Sequence, residues 1–172
     1  ADNVNSKFNV AYLINIKKYQ YLGFDISPEM ISVAKSKFPE YQFLVRDVMH
    51  GIEGKYSLIL AVYGQINHFG LDEWSKIISK NLWESGSFYS VIYADTKNPD
   101  IAYENGKHQI FTENEIRSKM NEIGVEYTLH GFSFPFDPDM DSNELFEYQV
   151  CRMYSGDLMN CKYWILEGKS PR

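Results

Sequence analysis

Cysteine is nearly absent: the sequence holds two, Cys151 and Cys161. A disulfide scaffold is therefore excluded, and so is a structural zinc centre, which takes about four clustered ligands. Both thiols read as unpaired and buried, as in a reducing cytoplasm. Positive charge is also short. Lys and Arg number 17 against 23 Asp and Glu, and the net charge is −6. Phosphate contacts need clustered bases, so a general nucleic-acid binder is disfavoured. No long hydrophobic run is present. Ser57 to Tyr63 is among the longest and is far too short to span a bilayer. The first residues are polar and carry no apolar core segment, so no secretory signal is expected. Ala1 stands where an initiator methionine would, and the encoded start need not be this residue.

What is present is ordinary for a globular chain, apart from one class. Apolar residues make up 44% and charged residues 23%, and a length of 172 residues favours one domain, 1–172. Aromatics reach 16%, with Tyr 13 the most frequent. Tyrosine carries an apolar ring and a polar tip, which suits an amphipathic pocket or interface as well as a core.

Strand-like and helix-like segments alternate, which predicts an α/β layered fold with a mainly parallel sheet. Gln20 to Phe24 is a short apolar run ending at Asp25, followed by Ser27-Pro28-Glu29. Serine suits an N-cap, proline the first helical position and an acid the first turn. Met30, Ile31 and Ala34 recur at helical spacing until Pro39. Tyr41 to Val45 reads as a strand. Ser57 to Val62 reads as a central strand buried on both faces. Leu71, Trp74, Ile77, Ile78 and Leu82 share one helix face. Ser87 to Tyr93 is a further strand.

Thr112-Glu113-Asn114-Glu115 is a capping box, with Ile116, Met120 and Ile123 on one face and Gly124 as the stop. Val125 to His130 is expected to be a strand and 132–140 a loop. Asp141 with Glu144 fits the cap of a helix running through Met153, and the same stretch, Leu145 to Tyr154, also fits one arm of a hairpin turning at Ser155-Gly156-Asp157. The helix is preferred. Cys161 to Leu166 closes the set as a strand.

Polar residues stand at the C-terminal ends of these strands, where open parallel sheets bind ligands. Asp25 can accept two neighbouring ribose hydroxyls through its two oxygens, or act as a plain turn acid. Asp47 can accept from an adenine amino group, or serve as a loop cap or an ion-pair partner of Arg46. His68, just past the third of these strands, is the best candidate for a general base, with a purely structural role as the alternative. His50, His108 and His130 have no evident partner in the sequence.

The stretch Tyr21-Leu22-Gly23-Phe24-Asp25-Ile26-Ser27-Pro28-Glu29-Met30-Ile31 resembles the second motif of the class I S-adenosylmethionine-dependent methyltransferases. Arg46-Asp47-Val48 resembles their adenine-binding motif. Tyr56 to His68 resembles their fourth strand and the loop after it. Phe111 to Gly124 resembles their late helix, and Tyr163 to Lys169 their last strand. The resemblance runs from about Ala11 to the C-terminus. It implies a Rossmann-like, doubly wound α/β fold, mostly parallel, with an antiparallel last strand and helices on both faces.

It also implies S-adenosylmethionine as cofactor and S-adenosylhomocysteine as product, with a small-molecule acceptor methylated at N or O. Asp25 would hold the ribose, Ile26 and Met30 would pack on the adenosine, and Asp47 with Val48 would read the adenine. Ala61, Val62 and Tyr63 would line the methionine end. No metal, nucleic acid or membrane is implied, and a homodimer is compatible but not required. The acceptor side would be built from the Tyr63–His68 segment, the segment around Asp95–Gln109, and Phe132–Asp139.

One feature of that family is not found. No glycine-rich loop precedes Tyr21, and the join at Val10–Ala11 is where glycines belong. A segment is expected to be missing at that join, about eight residues for a loop alone. If instead the chain is continuous there, a non-catalytic binding or regulatory relative becomes the alternative. A nicotinamide-dependent oxidoreductase would also use Asp25, but no G-x-G-x-x-G fingerprint is present.

Overall fold

The computed structural model describes residues 20–62, 64–93, 109, 111–135 and 160–170. The join at Val10–Ala11, the segment Leu145–Tyr154, Tyr63, His108 and Cys151 lie outside the described residues. The chain divides into two compact units between Ile52 and Glu53.

In the first unit, strand β1 (Leu22–Asp25) pairs in parallel with β2 (Gln42–Val45), joined by helix α1 (Pro28–Lys37). The start of α1 is as the sequence dictates. Ser27 is the N-cap, its Oγ accepts from the Met30 N–H at 3.2 Å, and Pro28 opens the helix. The helix ends at Lys37, just before Pro39. Ile31 is buried, whereas Met30, which shares the apolar spacing, is 58% exposed. A single 3-10 turn, Val48–His50, follows β2. Tyr21 packs edge-on against Tyr41 and Phe43, and burial pushes its phenol pKa up.

The second unit is built on four strands: β3 (Tyr56–Ala61), β4 (Leu82–Tyr93), β5 (Glu126–Pro135) and β6 (Asn160–Lys169). Their order is β3-β4-β6-β5. β3 and β4 are parallel, and β6 runs antiparallel to both β4 and β5, so three strands share one direction and the last opposes them. This is the mostly parallel α/β arrangement with an antiparallel final strand. Helix α2 (Gln65–Asn81) lies against β3 and β4, and α3 (Glu113–Glu122) against α2 and β5. The core between them is Trp74, set edge-on to Phe88 at 6.1 Å, with Ile66, Ile78, Ile92, Ile116, Met120 and Leu166 fully buried. Each such side chain contributes about 1.5–3 kcal/mol through lost apolar exposure.

Two expectations are corrected here. β3 stands at the end of its sheet's order, and Leu58 is 42% exposed while Ile59 and Ala61 are buried. Strand residues alternate between faces, and among the described residues only the Ile59 and Ala61 face is covered. The stretch read as a loop from 132 begins as strand. β5 continues to Pro135, because β6 supplies partners as far as Asn160. Proline is tolerated there, at the end of an edge strand.

Candidate functional site

At the end of β1 the backbone turns sharply and Asp25 sets the turn. Its Oδ1 accepts from the Ser27 N–H at 2.8 Å, and its carbonyl accepts from the Arg46 N–H at 2.8 Å. A backbone N–H, and after it the Ser27 hydroxyl that donates to Glu29 at 2.9 Å, hold the Glu29 carboxyl below its usual range. Asp25 is thus fixed through one oxygen. Its Oδ2 has no partner among the described residues, and a carboxylate pair of oxygens offers about four acceptor positions. Beside it, Ile26 is 69% exposed and Met30 is exposed as well. A half-buried acid flanked by open apolar side chains matches what a nucleoside presents, hydroxyls next to a flat apolar base.

Asp47 leaves the same edge of the β1–β2 pair, because the parallel register sets Asp25 beside Val45. It caps the 3-10 turn: Oδ1 accepts from the Met49 N–H at 2.9 Å. Its Oδ2 lies 3.2 Å from His50 Nδ1, so His50 has the partner that the sequence did not disclose. Arg46 sends its Nε–H to the Gly51 carbonyl at 3.0 Å. Val48 is the first residue of the turn, where an N–H has no acceptor within its own helix.

The second unit holds the remaining sequence-selected residues at the C-terminal end of β3. Ala61 is buried and closes the strand, and Val62 is half-buried beyond it. Tyr63 lies outside the described residues, as do 95–108 and 136–139 of the expected acceptor side. Gly64, at φ 69°, donates its N–H to the Val91 carbonyl and begins α2. His68 stands exposed in the first turn of α2. That turn is set off by Gly70, at φ 89°, which breaks the helix. No group of three or more His, Cys, Asp or Glu side chains placed to hold a metal ion occurs among the described residues.

Reasoning from sequence missed Asn67, which is fully buried and bonded to Gln109. Nothing in the apolar spacing singles out an asparagine. Gly70 inside an otherwise helical pattern was the available signal.

No protein-family model and no curated protein matches the sequence. Solved structures do match. An O-methyltransferase from a polyketide synthase multienzyme of Brevibacillus brevis, solved with S-adenosylhomocysteine, superposes with a TM-score of 0.66 at 15% identity, covering 95% of this chain and 62% of that one. A phosphoethanolamine N-methyltransferase of Haemonchus contortus, solved with S-adenosylmethionine, gives 0.64 at 13% identity, over 91% and 45%. The N-methyltransferase NodS of Bradyrhizobium japonicum gives 0.55 at 11%, over 89% and 74%.

The fold is that of the class I S-adenosylmethionine-dependent methyltransferases. In this methyltransferase fold, β1, β2 and β3 each end in the segments singled out from sequence. The likeness is one of architecture, and architecture does not carry a substrate with it.

Proposed function

We propose that the chain, as one domain over 1–172, transfers a methyl group from S-adenosylmethionine to an N or O atom of a small-molecule acceptor. The observation that carries this reading is Asp25, fixed by the Ser27 N–H, with Oδ2 unpartnered among the described residues beside exposed Ile26 and Met30. When bound, the cofactor supplies a sulfonium methyl group and departs as the neutral thioether.

The chain's own residues bind and orient. Asp25 Oδ2 accepts from the ribose hydroxyls. Ile26 and Met30 cover the adenosine. The Asp47 carboxylate accepts from the adenine amino group, using lone pairs left by Met49 and His50, and the Val48 N–H meets a ring nitrogen. Ala61, Val62 and Tyr63 line the methionine end. Holding the acceptor in line with the methyl group supplies much of the rate. His68 takes the proton when the acceptor atom carries one. The net charge of −6 favours a small molecule over nucleic acid as acceptor. No described helix is long and apolar enough to cross a membrane. The two cysteines, read from sequence as unpaired, fit a reducing cytoplasm as the compartment.

The test is calorimetric titration with S-adenosylhomocysteine. A Kd near 1 μM, about −8 kcal/mol, with at least about a hundredfold loss in Asp25→Ala, supports the reading. No binding by the wild-type protein overturns it and leaves the non-catalytic binding subunit. That alternative has one observation in its favour, the absence of a glycine-rich loop before Tyr21.

A further inference from the structure

We propose that Asn67 is a positioning residue that sets the direction of His68 through a latch onto Gln109. The inference rests on the proposed role of His68. Three observations converge. Asn67 is fully buried, and its Nδ2 donates to the Gln109 carbonyl at 2.7 Å. Its backbone carbonyl accepts from the Gln109 N–H, also at 2.7 Å, so one residue holds both backbone groups of another 42 positions away. Gly70 interrupts α2 where the Gln109 side chain crosses it: a Cβ there would stand 2.9 Å from Gln109 Oε1 and 3.0 Å from Nε2.

The latch has a firm anchor. Phe111, two residues after Gln109, is buried, and Thr112 then caps α3, whose Ile116 and Met120 lie in the core. The first turn of α2 is short, because Gly70 cuts it from the rest of the helix. A single turn has little cooperative stability of its own. Its orientation therefore depends on what holds it. Neighbouring positions on a helical turn point about 100° apart. Pinning Asn67 inward fixes the direction in which His68 leaves the same turn.

Burying a polar side chain is costly unless its bonds are made. A leucine at 67 would fill the same space without that cost. The short bond from Nδ2 to the Gln109 carbonyl, which a leucine could not make, is the reason an amide suits this place.

The experiment compares wild type, Asn67→Asp, Gln109→Pro and Gln109→Ala. Three readings are taken on each: the ring Cε1–H NMR signal of His68, amide exchange at Gln109 where it has an N–H, and the Kd for S-adenosylhomocysteine. Asn67→Asp keeps the volume but turns a donor into an acceptor facing the Gln109 carbonyl. The expected result is Gln109 exchange faster by at least about tenfold and a displaced or broadened His68 signal. Cofactor affinity should stay within about twofold, since Asp25 and Asp47 are untouched. Gln109→Ala keeps both backbone bonds and should leave the His68 signal in place.

Gln109→Pro removes one of the two bonds at an exposed coil position, and it gives the His68 reading if Asn67→Asp does not fold. A His68 signal that stays at its wild-type position when the latch is broken overturns the proposal. So does wild-type exchange at Gln109 in Asn67→Asp. Failure of the wild-type protein to bind S-adenosylhomocysteine would remove the methyltransferase reading instead, and the His68 and Gln109 readings would still decide the latch.

Discussion

Asp47 carries two duties, and they can be separated. It caps the 3-10 turn through the Met49 N–H and is proposed to accept from adenine. Asparagine caps as well as aspartate, whereas alanine loses about 1 kcal/mol at such a position. Asp47→Asn should therefore leave urea stability within about 0.5 kcal/mol of wild type. Its affinity for S-adenosylhomocysteine should still fall, because the remaining amide nitrogen donates where a second acceptor is needed. Equal losses in both measurements would make Asp47 a structural cap only. The place of Asp25 and Asp47 at strand ends was legible in the sequence, because one closes a short apolar run and the other follows one by two residues. The bond from Asp47 to His50 was not, because side chains three apart meet only once a turn has formed between them. Asn67 was hidden for a related reason: its partner Gln109 lies far along the chain.

Lys119 of α3 joins two elements. It donates to Asp72 of α2 at 2.7 Å and to Glu122 at 2.7 Å. Lys119 holds the Asp72 carboxyl below its ordinary range, and its own pKa is raised by Asp72 and then Glu122. A carboxyl depressed in the folded state stabilises above its unfolded pKa and loses that contribution as pH falls through the folded value. Lys119→Ala should thus lower Tm at pH 7, and the gap to wild type should close as pH drops below about 4. The same Tm gap at pH 3 and pH 7 would show that packing, not charge, is what the lysine provides. Asp72 and Glu122 are solvent-exposed and Lys119 is partly so, and the effect should also shrink in high salt.

Two helix starts were the most readable part of the sequence, whereas Leu82, read on the helix face with Leu71, opens β4 instead. Ser27 with Pro28 and Thr112 with Glu115 form caps whose partners lie within three residues, and both are present in the structure. The end of β5 was misread because a strand's extent is set by its neighbour. Phe132 to Pro135 pair with Tyr163 to Asn160, about thirty residues on, and no local signal announces that.

Across the whole second unit, β6 is the element on which the others depend. Gly168 shows how closely it is fitted. A Cβ there would lie 2.5 Å from Phe88 Cζ and 2.6 Å from the Glu126 carbonyl oxygen, contacts from β4 and β5 at once. Gly168→Ala should cost about 3 kcal/mol in a denaturant titration, since the Glu126 backbone must move. A loss under about 0.5 kcal/mol would mean that the three strands separate easily at that level. The fold class was readable from the alternation of strands and helices. The order β3-β4-β6-β5 was not, because pairing order is a long-range property that propensity does not encode.

That order has a consequence for the chain as it is made. β5 pairs with β6 alone among the described strands, and β4 meets β5 only through β6. During synthesis β5 is made before the strand it pairs with. For the time needed to add the residues up to Lys169, about two to seven seconds at ordinary synthesis rates, a ten-residue strand with an exposed Phe132 waits unpaired. Chains released short of Asn160, which carry β5 without β6, should therefore be the ones that chaperones hold and that clump at their β5 strands.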